Sequence, residues 1–372
     1  MARAREAVGL DIGTSGVRAA HVSFAKHPYT LENFGQVSLP QGAVRDGEIV
    51  DSAVVAQALT ELWKRAGFKK KAVSLGIANQ KVIGRAIDLP YMQEAELRGA
   101  IQFQVQEYIP IPVDDAVIDF QILDEFVTEN NERMVRLFLV AAQKDMVAEI
   151  VETVSRAGLS PEAIDFIPLA LIRSLGETSD SLARPTGEGE AVIDIGAGVT
   201  NIVVHEGGVP RFTRVLSIGG NNLTEALSAG LGVSFEDAES IKQRLGLSGA
   251  APGAPAPVAP GEAEPPVQSG DMAARILEQR AGALVDEIRG SLDYYMAGGE
   301  ATRISRVILS GGASKLPNLA LRLANALRLP VEQGRTLRKI KMGKVGLSDA
   351  QVAEAEPLMS AAVGIAMGVG QE

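Results

Sequence analysis

One short pattern occurs twice in this chain, and it constrains the fold more than any other feature. The first copy reads Val8-Gly9-Leu10-Asp11-Ile12-Gly13-Thr14-Ser15-Gly16-Val17-Arg18. The second reads Ala191-Val192-Ile193-Asp194-Ile195-Gly196-Ala197-Gly198-Val199-Thr200-Asn201. Each holds an apolar strand ending in a carboxylate, a turn of small residues, and a second apolar run, Ala19 to Val22 or Ile202 to Val204. That order predicts a β-hairpin whose turn lacks bulk. Glycines in such a turn let backbone N–H groups approach a phosphate closely, and the hydroxyls of Thr14, Ser15 and Thr200 add donors. A carboxylate beside each turn suits Mg2+ held through water, because hard cations take oxygen ligands. A single copy reads equally as a strand end and its turn. Two copies, each opening a domain, predict facing hairpins that grip a nucleotide's phosphates from both sides.

The 372 residues allow two domains with a substantial core. A hydrophobic content of 46% with 22% charged residues fits a soluble globular protein. The net charge of −10 argues against a general nucleic-acid binder. Lys69-Lys70-Lys71 reads as a solvated loop entering a strand. Arg335, Arg338, Lys339, Lys341 and Lys344 form a looser basic cluster, by default a solvated loop, with a partner or anionic lipid as the alternative. The absence of cysteine excludes disulfides, thiolate chemistry and Cys-based metal sites. The three histidines, His21, His27 and His205, are too scattered for a zinc site. The charged start, Met1 to Glu6, fits no signal peptide, and no apolar run is expected to reach bilayer length. A cytoplasmic protein is expected.

Periodicity predicts strands over 8–24 and 30–39, a helix from Ser52 to Ala66, and a strand from Lys71 to Ala78. From Lys81 the pattern changes. Val82 to Leu89 alternates as a strand, and Gln93 to Tyr108 is an amphipathic helix stopped by Ile109-Pro110-Ile111-Pro112. Two strands, Ala116 to Phe126 and Met134 to Ala142, flank the polar turn Glu129 to Glu132. A helix from Lys144 to Ala157 and a strand from Ala163 to Phe166 complete a β-α-β-β-α-β unit. The expected division is therefore a first domain over 1–80, 160–189 and 358–372, with a small subdomain inserted over 81–159. A second domain covers 190–357. Within it, Asn222 to Leu231, Phe235 to Leu245 (with Ser234 as N-cap), Met272 to Met296 and Pro317 to Leu327 read as helices, and Arg306 to Ser310 as a strand. Leu358 to Val369 reads as a last, small-residue helix. Ser248 to Gly270 holds six prolines and no aromatic residue, and is expected to be a flexible excursion.

The paired Asp-Ile-Gly turns resemble the phosphate loops of the actin-like ATPase superfamily. Other stretches sharpen that likeness. Ile87-Asp88-Leu89-Pro90-Tyr91-Met92, then Gln102 through Gln106-Glu107-Tyr108-Ile109-Pro110 to Pro112, and Leu139-Val140-Ala141-Ala142-Gln143-Lys144 resemble the PilM family of type IV pilus actin-like proteins. FtsA-type division proteins are the nearest relatives. The resemblance covers nearly the whole chain apart from the proline-rich excursion. It implies an α/β, actin-like (ribonuclease H-like) two-domain ATPase fold with an inserted small subdomain of the FtsA/PilM type.

The resemblance also implies roles. Asp11 and Asp194 would organise Mg2+ around the phosphates of ATP and serve as the catalytic carboxylates. Gly13, Thr14, Ser15 and Gly16 would wrap one side of the phosphates, and Gly196, Ala197, Gly198 and Thr200 the other. Gly219 and Gly220 would lie near the nucleotide. Glu239 and Lys242 would reach the ribose and adenine, the alternative being a surface ion pair at i,i+3. Gly311, Gly312 and Ala313 would lie against the adenine, or merely turn a strand into a helix. Arg18 stands where many relatives carry lysine, and it either binds phosphate or pairs with a neighbouring carboxylate. Gln102, Gln104, Gln106 and Glu107 could position a water, but no spacing singles one out. Tight ATP binding with slow or no turnover is expected.

The implied function is a cytoplasmic ATP-binding scaffold at the inner face of the cell membrane. It would bind the N-terminal cytoplasmic tail of a PilN-like single-pass membrane protein. The helix from Gln93 to Tyr108 and the strand from Ala116 to Phe126 would wall that groove. Contacts with the pilus motor ATPase and platform protein, and self-association, belong to the same expectation; nucleic acid does not, and membrane contact is through partners. The alternatives are an FtsA-like division protein and a small-molecule kinase. No basic amphipathic helix follows Val369 before Glu372, which disfavours the first. No sugar-pocket signal favours the second.

Overall fold

The computed structural model describes residues 6–177, 187–248, 269–298, 301–343 and 345–369. Most of the expected excursion, Lys344 of the basic cluster and both chain ends lie outside the described residues.

The chain opens with β1 (Glu6–Gly13), β2 (Gly16–Ser23), β3 (Thr30–Ser38), the short β4 (Val44–Arg45) and β5 (Glu48–Ile49), α1 (Ser52–Ala66) and β6 (Ala72–Ile77). It continues with β7 (Val82–Pro90), α2 (Glu94–Gln104), β8 (Ala116–Val127), β9 (Arg133–Gln143), α3 (Lys144–Arg156), β10 (Ser160–Phe166) and α4 (Ile167–Leu175). The second half holds β11 (Glu188–Ile195), β12 (Thr200–Glu206), β13 (Val209–Leu216), α5 (Gly220–Leu231), α6 (Phe235–Leu245) and α7 (Ser269–Met296). It ends with β14 (Arg303–Ser310), α8 (Leu319–Leu327), β15 (Val331–Gln333), β16 (Lys341–Met342) and α9 (Asp349–Val369).

Two sheets carry the two Asp-Ile-Gly motifs. The first has six strands in the order β10-β6-β1-β2-β3-β16, the second five in the order β13-β12-β11-β14-β15. The motif strands β1 and β11 are buried along nearly their whole length. That is why both read as continuous apolar runs rather than alternating ones: helices or sheets cover both faces. In the first sheet α1 packs Leu59 and Leu62 against Leu10, Val17 and Leu75. On the other face lie α4 and α9, and α4 reaches across to Val192 and Val203 of the second sheet. A Cβ on Gly364 of α9 would lie 1.9 Å from the Ala170 carbonyl of α4, so only glycine allows these helices to touch. The small residues of α9 are the price of this three-layer contact.

Three features differ from the expected boundaries. α2 stops at Gln104, because Val105, Ile109 and Ile111 turn inward onto the small sheet β7-β9-β8 instead of extending the helix. The last strand of the expected β-α-β-β-α-β unit, β10, pairs in parallel with β6 of the first sheet, and α3 packs Met146, Ile150 and Val154 into that sheet's core. α9 begins at Asp349, well before Leu358, and carries Pro357 inside it. Among the described residues α9 is long and apolar enough to match a bilayer span, with mean hydropathy 1.3 over the matching window. This corrects the expectation that no run reaches that length; 67% of the window is buried inside the fold, as a core helix requires. α1 begins at Ser52 as expected, and it is capped by Asp51, whose side chain accepts from Val54 N.

Candidate functional site

Both motifs form the predicted hairpins. β1 pairs with β2 so that Gly13 faces Gly16 and Asp11 faces Arg18; β11 pairs with β12 so that Asp194 faces Asn201. Each turn is short. Gly196 N donates to the Val199 carbonyl at 2.8 Å, and the Ser15 carbonyl accepts from Leu39 N at 3.0 Å. The two tips meet: a Cβ on Gly198 would lie 2.6 Å from Thr14 Oγ1.

Below this junction lies a cleft of about 710 Å³. The first hairpin contributes Asp11, Gly13, Thr14, Ser15, Gly16 and Arg18, and the second Asp194, Gly196, Ala197 and Gly198. Gly220, Glu239 and Lys242 come from α5 and α6, and Gly311, Gly312 and Ala313 from the loop after β14. Two expected residues do not line it. The Thr200 hydroxyl is buried and donates to the Ile218 carbonyl at 2.7 Å, tying β12 to the turn before α5. Gly219 sits behind Gly196 and Ala197, whose carbonyls would lie 2.6 Å from its Cβ, and its N–H is taken by Asn222 Oδ1 at 2.7 Å.

Burial pushes the Asp11 carboxyl up, against the opposing pull of the Arg18 guanidinium. Burial and the Asp11 charge together push Asp194 up to about 6. Arg18 points into this acidic pair. Its Nη1 lies 3.5 Å from Asp11 Oδ2 and donates to the Gly16 carbonyl at 3.4 Å, while Nη2 donates to Ser15 Oγ at 3.1 Å. These contacts are long for an ion pair, so Arg18 lies between the two expected roles, beside a carboxylate and facing the phosphate turns. Arg18 Nε and Asn201 Oδ1 are buried without a hydrogen-bond partner. Among the described residues no group of three or more His, Cys, Asp or Glu side chains could cage a metal. Two carboxylates under glycine turns fit a cation held through water and ligand oxygens instead.

Glu239 and Lys242 are not a surface pair. Lys242 is 8% exposed; its Nζ donates to Glu239 Oε2 at 2.6 Å, Thr224 Oγ1 at 2.8 Å and the Gly220 carbonyl at 3.2 Å. Thr224 donates to Glu239 Oε2 at 2.6 Å, and Gln243 Nε2 to Oε1 at 2.9 Å. These hydrogen bonds, with Lys242 the largest contributor, outweigh burial and hold the Glu239 carboxyl below its usual range. The remaining loop is equally fixed. Gly311 has φ +88°, and a Cβ there would lie 2.3 Å from the Ile195 carbonyl. Its N–H donates to the Pro357 carbonyl at 3.1 Å, which joins the second sheet to α9.

Several lining residues escaped the sequence reading. Gln243 follows Glu239 by one helical turn, so the face shared by Glu239 and Lys242 could have found it. Gln36 to Ser38, Lys315 to Pro317, Glu354, Pro357 and Leu358 reach the cleft only through tertiary packing. Gln102, Gln104, Gln106 and Glu107, named as water-positioning candidates, are absent from its lining. Gln104, Gln106 and Glu107 instead line a second cavity of about 580 Å³ in the small subdomain, with Asp88, Leu89, Pro90, Phe103, Tyr108 and Met134. The end of α2 lines that cavity, and β8 contributes no residue to it.

The family described as type IV pilus assembly protein PilM matches residues 9–250, and that of the cell division protein FtsA matches residues 191–364. A PilM–PilN type IV pilus biogenesis complex superposes with a TM-score of 0.80 at 26% identity, over 100% of both chains. FtsA of Pseudomonas aeruginosa is 26% identical over 97% of this chain and 88% of its own length. FtsA of Bacillus subtilis is 26% identical over 64% of this chain, and the chain spans 58% of that relative's length. The fold is accordingly the two-domain actin-like one, and the chain belongs to the type IV pilus assembly protein PilM family.

Proposed function

We propose that this chain is a nucleotide-dependent scaffold of type IV pilus assembly, binding Mg2+-ATP in the cleft between its two sheets. The observation that carries the reading is the meeting of the hairpin tips at Thr14 and Gly198 above Asp11 and Asp194. Backbone N–H groups of the two turns would hold the phosphates. The two carboxylates would orient the water shell of Mg2+, which neutralises phosphate charge when bound. Glu239 keeps acceptor capacity for ribose hydroxyls, since Lys242, Thr224 and Gln243 already fix its orientation. Gly311 to Ala313 would take the base. Turnover is proposed to be slow, because the expected glutamines lie away from the cleft; steady phosphate release stays below about one per second, the low edge of ordinary enzymes.

The proposed partner is the N-terminal cytoplasmic tail of a PilN-like single-pass membrane protein, which would hold the scaffold at the inner face of the membrane. The superposed relative is a PilM–PilN complex, which supports this choice. The test is a pull-down of tagged protein from detergent-solubilised envelope with Mg2+-ATP, read by mass spectrometry. Recovery of a PilN-like membrane protein with pilus components supports the scaffold. Recovery of the tubulin-like division protein instead replaces it with an FtsA-type role.

A further inference from the structure

The basic segment near the end of the chain serves neither the cleft nor the proposed tail groove. Its ten residues, Arg335 to Lys344, hold five cations and no carboxylate, in a chain whose net charge is −10. Its described part is the crossing from β15 of the second sheet to β16, which is an edge strand of the first.

Packing fixes one side of this crossing. Thr336 and Ile340 are buried; Thr336 Oγ1 lies 2.9 Å from Ser360 Oγ, and Ile340 shares an apolar cluster with Met359 and Val363 of α9. Lys339 turns inward, and its Nζ donates to the Arg173 and Ile172 carbonyls of α4 at 3.2 and 3.4 Å. Lys341 N and Gly343 N donate to the Tyr29 and Leu31 carbonyls at 2.7 and 2.9 Å. The other side is left with Arg335, Arg338 and Lys341, three residues apart. Arg338 N donates to the Arg335 carbonyl at 3.1 Å, closing a 3-10 turn in which residues three apart stand one above the other. All three side chains are exposed, and none makes a hydrogen bond or ion pair to a described residue. Met342 beside them is 39% exposed. Glu356 and Glu32 touch the segment elsewhere: Glu356 Oε1 accepts from Leu337 N at 3.1 Å, and Glu32 Oε2 would lie 3.2 Å from a Cβ on Gly343.

We propose that Arg335, Arg338 and Lys341, with Met342, form a docking strip for an anionic phospholipid surface, so that the chain touches the membrane directly as well as through its partner. Like charges held together without counter-charge repel one another, and an anionic surface relieves that repulsion. Long cationic side chains on a fixed backbone suit mobile phosphate headgroups, and an exposed methionine among them can enter the interface. The acidic remainder of the chain opposes a nucleic acid in the same place. Binding through three cations is weak alone, and it strengthens a second attachment on the same chain by raising its effective concentration. The strip is independent of the nucleotide reading.

The test is sedimentation of the purified full chain with excess vesicles, without nucleotide or partner, at low and high salt. One set is phosphatidylcholine alone, and the other holds about a third phosphatidylglycerol. Each cation near such a surface is worth a factor of about five, so the wild type should prefer the anionic vesicles by about a hundredfold at low salt and lose most of that preference at high salt. Arg335→Gln/Arg338→Gln/Lys341→Gln should abolish the preference. Lys64→Gln/Lys69→Gln/Lys71→Gln removes the same charge from exposed positions in and after α1, which covers the other face of the first sheet, and should bind as the wild type does. Both variants change exposed side chains only, and melting curves check the fold. A wild type without preference for anionic vesicles, a strip variant that binds like the wild type, or an equal loss in the α1-side variant overturns the proposal. A strip variant that keeps vesicle binding but loses an acidic protein from an envelope pull-down gives the strip to that protein instead. Failure to bind Mg2+-ATP leaves these outcomes unchanged.

Discussion

Thr14 and Gly198 belong to different sheets, yet a single methyl group added to Gly198 would sit 2.6 Å from Thr14 Oγ1 and 3.2 Å from Thr14 Cβ. The contact closes the roof of the cleft. Gly198→Ala therefore has to push the two hairpin tips apart. We expect a loss of Mg2+-ATP affinity of about tenfold, with a melting temperature within a few degrees of wild type, because the strain lies at half-buried loop tips outside the core. Thr14→Ala removes the atoms in the way but also a hydroxyl donor. The Thr14→Ala/Gly198→Ala double variant should bind better than the sum of the single losses, and strict additivity would mean the tips do not touch in solution.

Asp194 gives a pH signature. Its folded pKa, about 6, lies above its ordinary value of 3.8, so the native state holds this proton more tightly than the unfolded chain. The stabilisation is fully present below about pH 3.8 and is lost as pH rises through about 6. Asp11 acts in the same sense, while Glu190, Glu239 and Glu278, held below their usual range, act in the opposite one, so the comparison is with Asp194→Asn. That variant should be more stable than wild type at pH 7.5 by about 1–2 kcal/mol, and the difference should vanish toward pH 4. Thermal melts across pH 4–8 check it; equal stability at pH 7.5 would mean that the carboxylate is well solvated.

The Lys242 network predicts a different outcome. Lys242→Met leaves Glu239 and Thr224 without their shared donor. Glu239 keeps about a third of its surface in water, which softens the loss. Destabilisation of about 1–3 kcal/mol is expected, together with weaker nucleotide binding. Urea unfolding measures the first. A surface ion pair would give less than about 1 kcal/mol.

Gly311 is the most constrained point of the base-side loop, since φ is +88° and the Ile195 carbonyl is in the way. Gly311→Ala should cost more than about 2 kcal/mol, well beyond an ordinary glycine replacement. Gly312, next in sequence, has a non-positive φ and only Leu358 Cδ2 near its Cβ position, at 3.2 Å, so Gly312→Ala serves as the mild control.

The two hairpins, and with them the site's centre, were readable because strand, carboxylate and glycine turn are local in sequence and occur twice. Helices such as α1 and α6 were readable because their apolar faces are local too; α6 also begins after the expected cap Ser234. What was not readable depends on distant partners. The end of α2 is set by Val105, Ile109 and Ile111 packing onto the small sheet, not by the prolines after them. β10 looks like the end of the inserted unit, but its partner β6 lies in the first sheet. Pro357 argues against a helix in the sequence, while in the fold its carbonyl is used by Ser310 and Gly311. Lys315 and Glu354 carry no motif, and only the folded chain brings them to one cleft.

The most direct test of the central claim is titration of Mg2+-ATP into the wild type and into Asp11→Ala by calorimetry. Asp11 sits 9% exposed beneath the first turn and opposite Arg18, so it is central to the proposed site. The account predicts one site per chain with a Kd of about 10 µM or tighter for the wild type, and a loss of about a hundredfold or more in Asp11→Ala. A wild type that does not bind Mg2+-ATP, or an Asp11→Ala variant that binds as well as wild type, would contradict it.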